Sequence, residues 1–279
     1  MSQYTTPNLA VTAANGVTYA YRRYGKVGTT PVLFLHHFRG NLDNWDPALV
    51  DDIAAEHEVI LFDTSGVAGT DGPAATTFAQ AGRDALAFVD ALELTEIDVF
   101  GFSIGGFVAQ EITLQRPGLV RRLVLAATGP QGGNEMERWA PTPHFHAMKD
   151  VQDAGDILAL FFAPTDTSRA KGMEFVGRIF TRTENRDAAV SLAARDAQVA
   201  AIQDWGVPDA AMLDRLELID VPTLVANGEH DVMIPLQNTL TLADRIRDAR
   251  LVVYPDANHG FLFQYPHQFA GEVNRFLGP

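Results

Sequence analysis

The sequence lacks cysteine altogether. This absence excludes disulfide bonds, a thiol nucleophile and a metal site with thiolate ligands. A chain without disulfides is compatible with a reducing compartment, and its first residues lack the basic start and apolar stretch of a signal peptide. No apolar run approaches the roughly 20 residues that span a bilayer. Together these absences predict a cytoplasmic protein that is not inserted in a membrane.

Positive charge is also scarce. The chain has 21 Lys and Arg against 35 Asp and Glu, which gives a formal net charge of -14. Such a surface repels phosphate backbones and anionic lipid head groups, so nucleic acid and membranes are not expected as partners. Hydrophobic residues make up 47% of the 279 residues, which is enough to bury the core of one large domain or of a domain with an insertion. Assembly into a homo-oligomer remains compatible with these values.

Short apolar runs alternate with longer amphipathic segments. The predicted strands are Val32–Leu35, Val59–Phe62, Ile97–Phe102, Leu123–Ala127, Thr223–Ala226 and Leu251–Tyr254, after an antiparallel pair at Leu9–Val11 and Val17–Tyr21. The predicted helices between and after them are Phe78–Leu92, Ile104–Gln115, Leu236–Arg247 and Phe269–Phe276. Continuous apolar runs suit strands that are buried on both faces of a parallel sheet. The alternation therefore predicts an α/β fold with a doubly wound sheet.

One long segment interrupts this alternation. From about residue 130 to 207 no convincing strand is present, and Pro141–Pro143 indicates a loop. Helices are predicted at Ala154–Phe162, Ser168–Arg182 and Ala188–Trp205. Because the segment is far longer than a normal connection, we interpret residues 131–207 as a helical cap. Residues 1–130 and 208–279 then form the core domain.

The sharpest motif is Gly101-Phe102-Ser103-Ile104-Gly105-Gly106, which follows a predicted strand and begins a helix. A serine in this context sits on a tight turn with its hydroxyl projecting from the carboxyl edge of the sheet. The glycines remove side chains where strand and helix approach each other. The motif predicts that Ser103 is a nucleophile and that the turn is a nucleophile elbow.

A serine hydroxyl needs a base, and the base needs an orienting carboxylate. Among eight histidines, His259 follows the last predicted strand and fits the base. His57 and His267 are interpreted as surface residues. Asp231 is the favoured acid, with Glu229 as a competitor, and the order Ser, Asp, His is the one expected after such an elbow.

An oxyanion hole is expected from two backbone N–H groups, those of Phe38 and Ile104. Phe38 lies in the turn after the third strand, and Ile104 begins the helix after the elbow. The large apolar residues of the cap predict a mainly apolar pocket. The residues chosen as its lining are His37, Met148, Phe161 and Trp205.

With these motifs the chain resembles the α/β-hydrolase fold family, in its group of small bacterial esterases, lactonases and cofactor-free haloperoxidase-like enzymes. The resemblance implies an eight-stranded, mostly parallel sheet flanked by helices, with a helical cap. Two departures are visible. The family often has His-Gly where this chain has His36-His37, and an Arg-Gly-x-Gly turn where this chain has Asp63–Gly69.

The expected activity is hydrolysis of a carboxylic ester or lactone through an acyl-enzyme on Ser103, without a metal or an organic cofactor. A hydrophobic small molecule is the expected substrate. A serine at the elbow argues against dehalogenases and epoxide hydrolases of this fold, which use an aspartate there. Two alternatives stay open: a perhydrolase or haloperoxidase-like activity with the same triad, and a small-molecule receptor with low turnover.

Overall fold

Eight strands form one sheet in the computed structural model, which describes residues 2–278. The strands are β1 (Leu9–Thr12), β2 (Thr18–Gly25), β3 (Val32–Leu35), β4 (Glu58–Phe62), β5 (Ile97–Phe102), β6 (Val120–Ala126), β7 (Thr223–Gly228) and β8 (Ala249–Tyr254). Their order across the sheet is β1-β2-β4-β3-β5-β6-β7-β8. Strand β2 is antiparallel to β1 and β4, and every other neighbouring pair is parallel. The predicted α/β-hydrolase fold with a mostly parallel sheet is confirmed.

The register of the central strands sets the position of the site. In the pairing of β3 with β5, Leu35 lies opposite Gly101. In the pairing of β5 with β6, Phe102 lies opposite Ala126. The loops that leave the carboxyl ends of β3 and β5 therefore emerge next to each other, as expected for parallel strands. All residues of β3, β4 and β5 are buried, so the core is centred here.

Helices cover the sheet and fill the segment between β6 and β7. Those outside that segment are α1 (Pro47–Ala54), α2 (Phe78–Ala91), α3 (Ile104–Gln115), α9 (Leu236–Arg245), α10 (Phe261–Gln264) and α11 (Pro266–Leu277). Between β6 and β7 lie α4 (Pro141–Ala147), α5 (Ala154–Phe161), α6 (Asp166–Ile179), α7 (Leu192–Gly206), α8 (Ala210–Leu213) and a 3-10 helix at Asp214–Leu218. Helix α1 packs on α11, and α2 packs on α3.

The division into a core and a cap stays a prediction, although helices α4 to α7 lie within residues 131–207. Residues 1 and 279, the outer limits of the predicted core domain, lie outside the described residues. Within residues 2–278, no helix combines the length and the apolar character needed to cross a membrane.

Several local predictions were wrong. Helix α4 begins at Pro141, where a loop was predicted; proline is tolerated at the first helical position because that N–H has no partner in the helix anyway. Helix α7 begins at Leu192 rather than at 188, because the Ser191 hydroxyl accepts the N–H of Ala194 and caps the helix there.

Two burial predictions were also wrong. Strand β8 was expected to be buried on both faces, but it lies at the edge of the sheet, and Leu251 is 38% exposed. His57 was interpreted as a surface residue, but it is only 2% exposed. Its backbone carbonyl accepts the N–H of Lys26, just after β2, which lies beside β4. The burial of His57 depends on the pairing of β2 with β4, which the charged residues next to His57 in the sequence do not reveal.

Candidate active site

Ser103 occupies the turn between β5 and α3 in a strained conformation, with φ 57° and ψ -123°. A non-glycine residue in such a region costs about 1–3 kcal/mol and needs support from its surroundings. The Ser103 N–H donates to the carbonyl of Ala126 at 2.9 Å. The Ser103 carbonyl accepts the hydroxyl of Thr128 at 2.8 Å. These bonds hold the backbone of the elbow against β6 and the loop after it.

Glycines make room for this turn. A Cβ on Gly101 would lie 2.6 Å from the carbonyl oxygen of Gly105, and a Cβ on Gly105 would collide with the carbonyl of Leu35 at the end of β3. The helix can therefore begin directly beside the sheet only because both side chains are missing. As a result, the Ser103 hydroxyl stands at the carboxyl edge between β3 and β6.

His259 joins the serine to a carboxylate. Its Nε2 lies 2.9 Å from Ser103 Oγ, and its Nδ1 lies 2.8 Å from Asp231 Oδ2. The three residues are buried, with exposures of 4% for Ser103, 1% for His259 and 8% for Asp231. A carboxylate on Nδ1 holds that nitrogen protonated, which leaves Nε2 free to accept the serine proton.

The turn after β7 fixes the carboxylate. Asp231 Oδ1 accepts the backbone N–H groups of Met233 and Ile234 at 2.8 and 2.9 Å. Its second oxygen is left for His259. Glu229, the competing acid, is exposed, and its backbone N–H bonds to the carbonyl of Tyr254 instead. The structure thus pairs His259 with Asp231 and leaves Glu229 outside the row.

The loop after β3 brings Phe38 next to the serine. Phe38 and Ile104 line the same cavity wall as Ser103. Neither the Phe38 nor the Ile104 amide donates a hydrogen bond to another group within residues 2–278. Because unpaired amides beside a nucleophile can stabilise an oxyanion, this arrangement fits the predicted hole.

Two cavities flank Ser103. The larger, of about 570 Å³, is lined by His259, Phe161, Leu160 and Asn44 among others. The smaller, of about 310 Å³, is lined mainly by apolar side chains: Ile104, Phe107, Met136, Trp139, Ile202 and Ile234. Phe38, Ser103 and Met233 line both. The serine hydroxyl therefore stands between two spaces of different size.

Comparison with known proteins identifies the family. The model of the alpha/beta hydrolase fold family matches residues 30–266. The chain belongs to the α/β-hydrolase fold family. It is similar to 2-hydroxymuconate semialdehyde hydrolase of Pseudomonas sp. (strain CF600), with 28% identity over 88% of this chain and 86% of the relative.

Two further proteins are similar to this α/β-hydrolase over most of its length. A putative non-heme bromoperoxidase BpoC of Mycobacterium tuberculosis is 28% identical over 88% of this chain and 93% of the relative. The structure of an alpha/beta hydrolase fold protein from Chitinophaga pinensis superimposes with a TM-score of 0.93, with 34% identity and 99% of each chain covered. These likenesses place the chain among hydrolases and leave the bond that it cleaves undefined.

The four predicted pocket residues of this α/β-hydrolase fall into two groups. His37 and Phe161 line the larger cavity with Ser103. Trp205 is 2% exposed and stacks on Phe107, with ring centroids 5.1 Å apart. Met148 is partly buried directly after α4, and neither it nor Trp205 is among the residues that line the two cavities. The structure brings two of the four to the serine and leaves the other two in the surrounding packing.

His37 is held as a neutral ring. Its Nδ1 lies 2.9 Å from the carbonyl oxygen of Phe38, so Nδ1–H is the donor. Burial lowers the pKa of His37 to about 4, with a smaller contribution in the same direction from the nearby His259, although the bond to Phe38 opposes this. Burial also lowers the pKa of His36 well below its usual range. The departure from His-Gly therefore adds bulk to the loop after β3 but no positive charge near neutral pH.

Two positioning residues escaped the sequence analysis. Asn258 Oδ1 accepts the N–H groups of Val232 and His259, at 2.9 and 2.8 Å, and so ties the acid turn to the histidine turn. Arg39 donates to the carbonyls of Ala147, Lys149 and Asp150, which anchors the Phe38 loop to the end of α4 and the residues after it. Asparagine is a common turn former, which is the local signal that could have identified Asn258, whereas nothing local marks Arg39.

No metal-binding cluster accompanies this row. Within residues 2–278, no group of three or more His, Asp or Glu side chains is arranged to hold a metal ion.

Proposed function

We propose that this α/β-hydrolase cleaves a carboxylic ester or lactone through an acyl-enzyme on Ser103. The observation that carries the proposal is the hydrogen-bonded row from Ser103 Oγ through His259 to Asp231, with distances of 2.9 and 2.8 Å. The similarity to hydrolases over most of the chain supports the same chemistry. Enzymes of this fold that have an aspartate at the elbow form an ester on that aspartate and carry out other reactions. The serine at this position therefore favours acyl transfer.

The first half-reaction forms the acyl-enzyme. His259 Nε2 takes the proton of Ser103 as Oγ attacks the substrate carbonyl. The carbonyl oxygen becomes an oxyanion, which the N–H groups of Phe38 and Ile104 stabilise. As the tetrahedral intermediate collapses, the bond to the alcohol oxygen breaks, and His259 gives its proton to that oxygen. Asp231 stabilises the imidazolium throughout by accepting from Nδ1.

Water completes the cycle by the reverse route. His259 removes a proton from water, whose oxygen attacks the acyl carbonyl. The ester bond to Ser103 then breaks, and the proton returns to Oγ, which releases the carboxylic acid. This chemistry uses only side chains and backbone amides of the chain.

The partner that fits this site is a hydrophobic small molecule. Most of the side chains that line the two cavities are apolar. The net charge of -14 disfavours nucleic acid and anionic membranes as substrates or surfaces. We propose a freely diffusing ester or lactone in the cytoplasm as the substrate.

The test compares Ser103→Ala with the wild type on aryl esters and with a fluorophosphonate probe. Loss of the nucleophile should reduce kcat by about 10⁶-fold and abolish covalent labelling, since such triads act as a unit. Aryl ester turnover by purified Ser103→Ala at more than a small fraction of the wild-type rate would reject the scheme.

A matched pair of acid variants separates the two carboxylates of the turn. Asp231→Asn should lower kcat by about 10⁴-fold, because an asparagine favours the wrong histidine tautomer. Glu229→Gln should stay within about twofold of the wild type, since exposed substitutions away from the site have small effects. Steady-state kinetics on one reporter ester measures both variants. A larger loss of kcat in Glu229→Gln than in Asp231→Asn would show that Asp231 is not the acid of the triad.

A second candidate function uses the same residues. The similarity to the putative non-heme bromoperoxidase BpoC favours a perhydrolase reaction, in which hydrogen peroxide replaces water and attacks the acyl-enzyme to release a peracid. Measuring peracid formation from acetate and hydrogen peroxide tests it, with Ser103→Ala as the control. Absence of peracid in the wild type would leave hydrolysis as the activity.

A further inference from the structure

The two cavities beside Ser103 differ in which part of the catalytic row they contain. His259 lines the larger cavity and not the smaller one. Ile104, whose amide belongs to the expected oxyanion hole, lines the smaller cavity and not the larger one. Phe38, the other residue of the expected oxyanion hole, lines both cavities. A substrate centred on Ser103 Oγ therefore meets the proton donor, His259, only on the side of the larger cavity.

This asymmetry decides the orientation of an ester. When the tetrahedral intermediate collapses, the alcohol oxygen must receive a proton from His259 Nε2, so the alcohol part has to lie on the side of His259. The acyl chain takes the remaining direction, past Ile104. The alcohol part thus extends into the cavity of about 570 Å³, and the acyl part enters the cavity of about 310 Å³.

The walls of the smaller cavity are rigid and apolar. Ile202 is 7% exposed, Met136 3% and Phe107 2%. Phe107 is also stacked on Trp205, with centroids 5.1 Å apart. Because buried, close-packed side chains yield little space without strain, a long acyl chain has less room on this side than in the larger cavity.

The larger cavity is roomier and more polar. Asn44 and Gln152 supply amides to its lining. Arg39 also belongs to the lining, and its guanidinium donates to the carbonyls of Ala147, Lys149 and Asp150. A longer alcohol part therefore has room on this side of Ser103.

Resting on the proposed function, we propose that the preferred substrates are esters that combine a short apolar acyl group with a longer alcohol part. The recognition lies in the juxtaposition of Ile202 and Met136 on the acyl side with Phe161 and Leu160 on the alcohol side of Ser103.

An isomeric pair of esters tests the orientation. Octyl acetate and ethyl octanoate have the same atoms and the same overall hydrophobicity, but their long chains lie on opposite sides of the ester bond. For purified wild-type protein, we expect kcat/KM for octyl acetate to exceed that for ethyl octanoate by at least about tenfold, since a few methylenes in the wrong pocket have effects of this size. Each value is divided by the hydroxide-catalysed rate of the same ester. Equal values, or a preference for ethyl octanoate, overturn the assignment.

A variant pair connects this preference to the walls. Ile202→Ala should raise the ratio of kcat/KM for ethyl octanoate to kcat/KM for ethyl acetate severalfold. Leu160→Ala, which changes the larger cavity, should leave this ratio unchanged. Ile202→Val serves as a milder variant if the alanine variant does not fold. A gain for ethyl octanoate in Leu160→Ala, but in neither Ile202 variant, contradicts the proposal.

Failure of the orientation and failure of the proposed function give different results. If Ser103 is labelled by fluorophosphonate and esters turn over with the reverse preference, only the orientation is wrong. If Ser103 is not labelled and no ester is hydrolysed, the proposed function is wrong and the orientation falls with it.

Discussion

At the residue scale, the loop after β3 buries two adjacent histidines that titrate abnormally. His36 is 7% exposed and His37 8% exposed. Burial lowers the pKa of both side chains. A buried imidazole avoids a charge because the interior solvates the charged form poorly. The loop that carries the Phe38 amide therefore depends on both rings staying neutral.

This dependence predicts a pH effect on stability. The pKa of His37 is about 4 in the folded protein, against an ordinary histidine value of 6.5. Between these values the unfolded chain binds more protons, so the free energy of unfolding should fall as pH decreases from 6.5 towards 4. His37→Gln should reduce this slope by up to about 1.4 kcal/mol per pH unit. Urea denaturation at several pH values measures it, and identical slopes for variant and wild type would show that His37 does not contribute.

At the element scale, α3 lies unusually close to the sheet. A Cβ on Gly105, in its first turn, would collide with the Leu35 carbonyl, whereas a Cβ on Gly271, in the middle of α11, meets no atom within 4 Å. The two glycines are in helices of equal length, 12 residues each. They differ in their position along the helix and in what surrounds them, so the residue type alone does not define their role.

The two positions should respond in opposite directions to alanine. Gly105→Ala should destabilise by about 1–3 kcal/mol through overpacking. Gly271→Ala should stabilise by about 0.5–1 kcal/mol, because alanine restricts the unfolded chain and favours helix. Equilibrium denaturation of both variants measures these changes. A Gly105→Ala variant as stable as the wild type would mean that α3 can move away from β3.

At the scale of the whole molecule, an ion pair joins α6 to Asp46, the residue that caps α1. Arg178 donates to both oxygens of Asp46, at 2.8 and 2.7 Å. The Asp46 side chain is fully buried and also caps α1 by accepting the N–H of Ala48. Burial raises the pKa of Asp46, and the Arg178 guanidinium opposes this. The pair thus couples the segment between β6 and β7 to a helix that precedes β4.

Removing one partner of this pair should be costly. Arg178→Met leaves a buried carboxylate uncompensated, and we expect a loss of about 3 kcal/mol. The double variant with Asp46→Asn should lose less than the sum of the single changes. Lys171→Met is the control, since Lys171 and Glu174 form an exposed pair, and such pairs contribute about 0–1 kcal/mol. Additive losses in the double-mutant cycle would contradict a direct coupling.

The central strands and the elbow were predictable because their signals are local. The apolar runs at β3 and β5 match the observed strand bounds, since a strand buried on both faces must be apolar at successive positions. The Gly101–Gly106 motif likewise encodes its own turn. The edge position of β8 and the burial of His57 were missed because both depend on which strands pair, and pairing is a property of the whole sheet.

The sequence by itself determined the family, the elbow and the candidate nucleophile, because these depend on residues that are adjacent in the chain. Only the tertiary structure decided that Asp231 rather than Glu229 bonds to His259, and that Phe161 rather than Trp205 reaches the larger cavity beside Ser103. Hydrogen bonds extend only about 3 Å, so such choices depend on how loops distant in sequence are oriented, and packing of the complete chain sets that orientation.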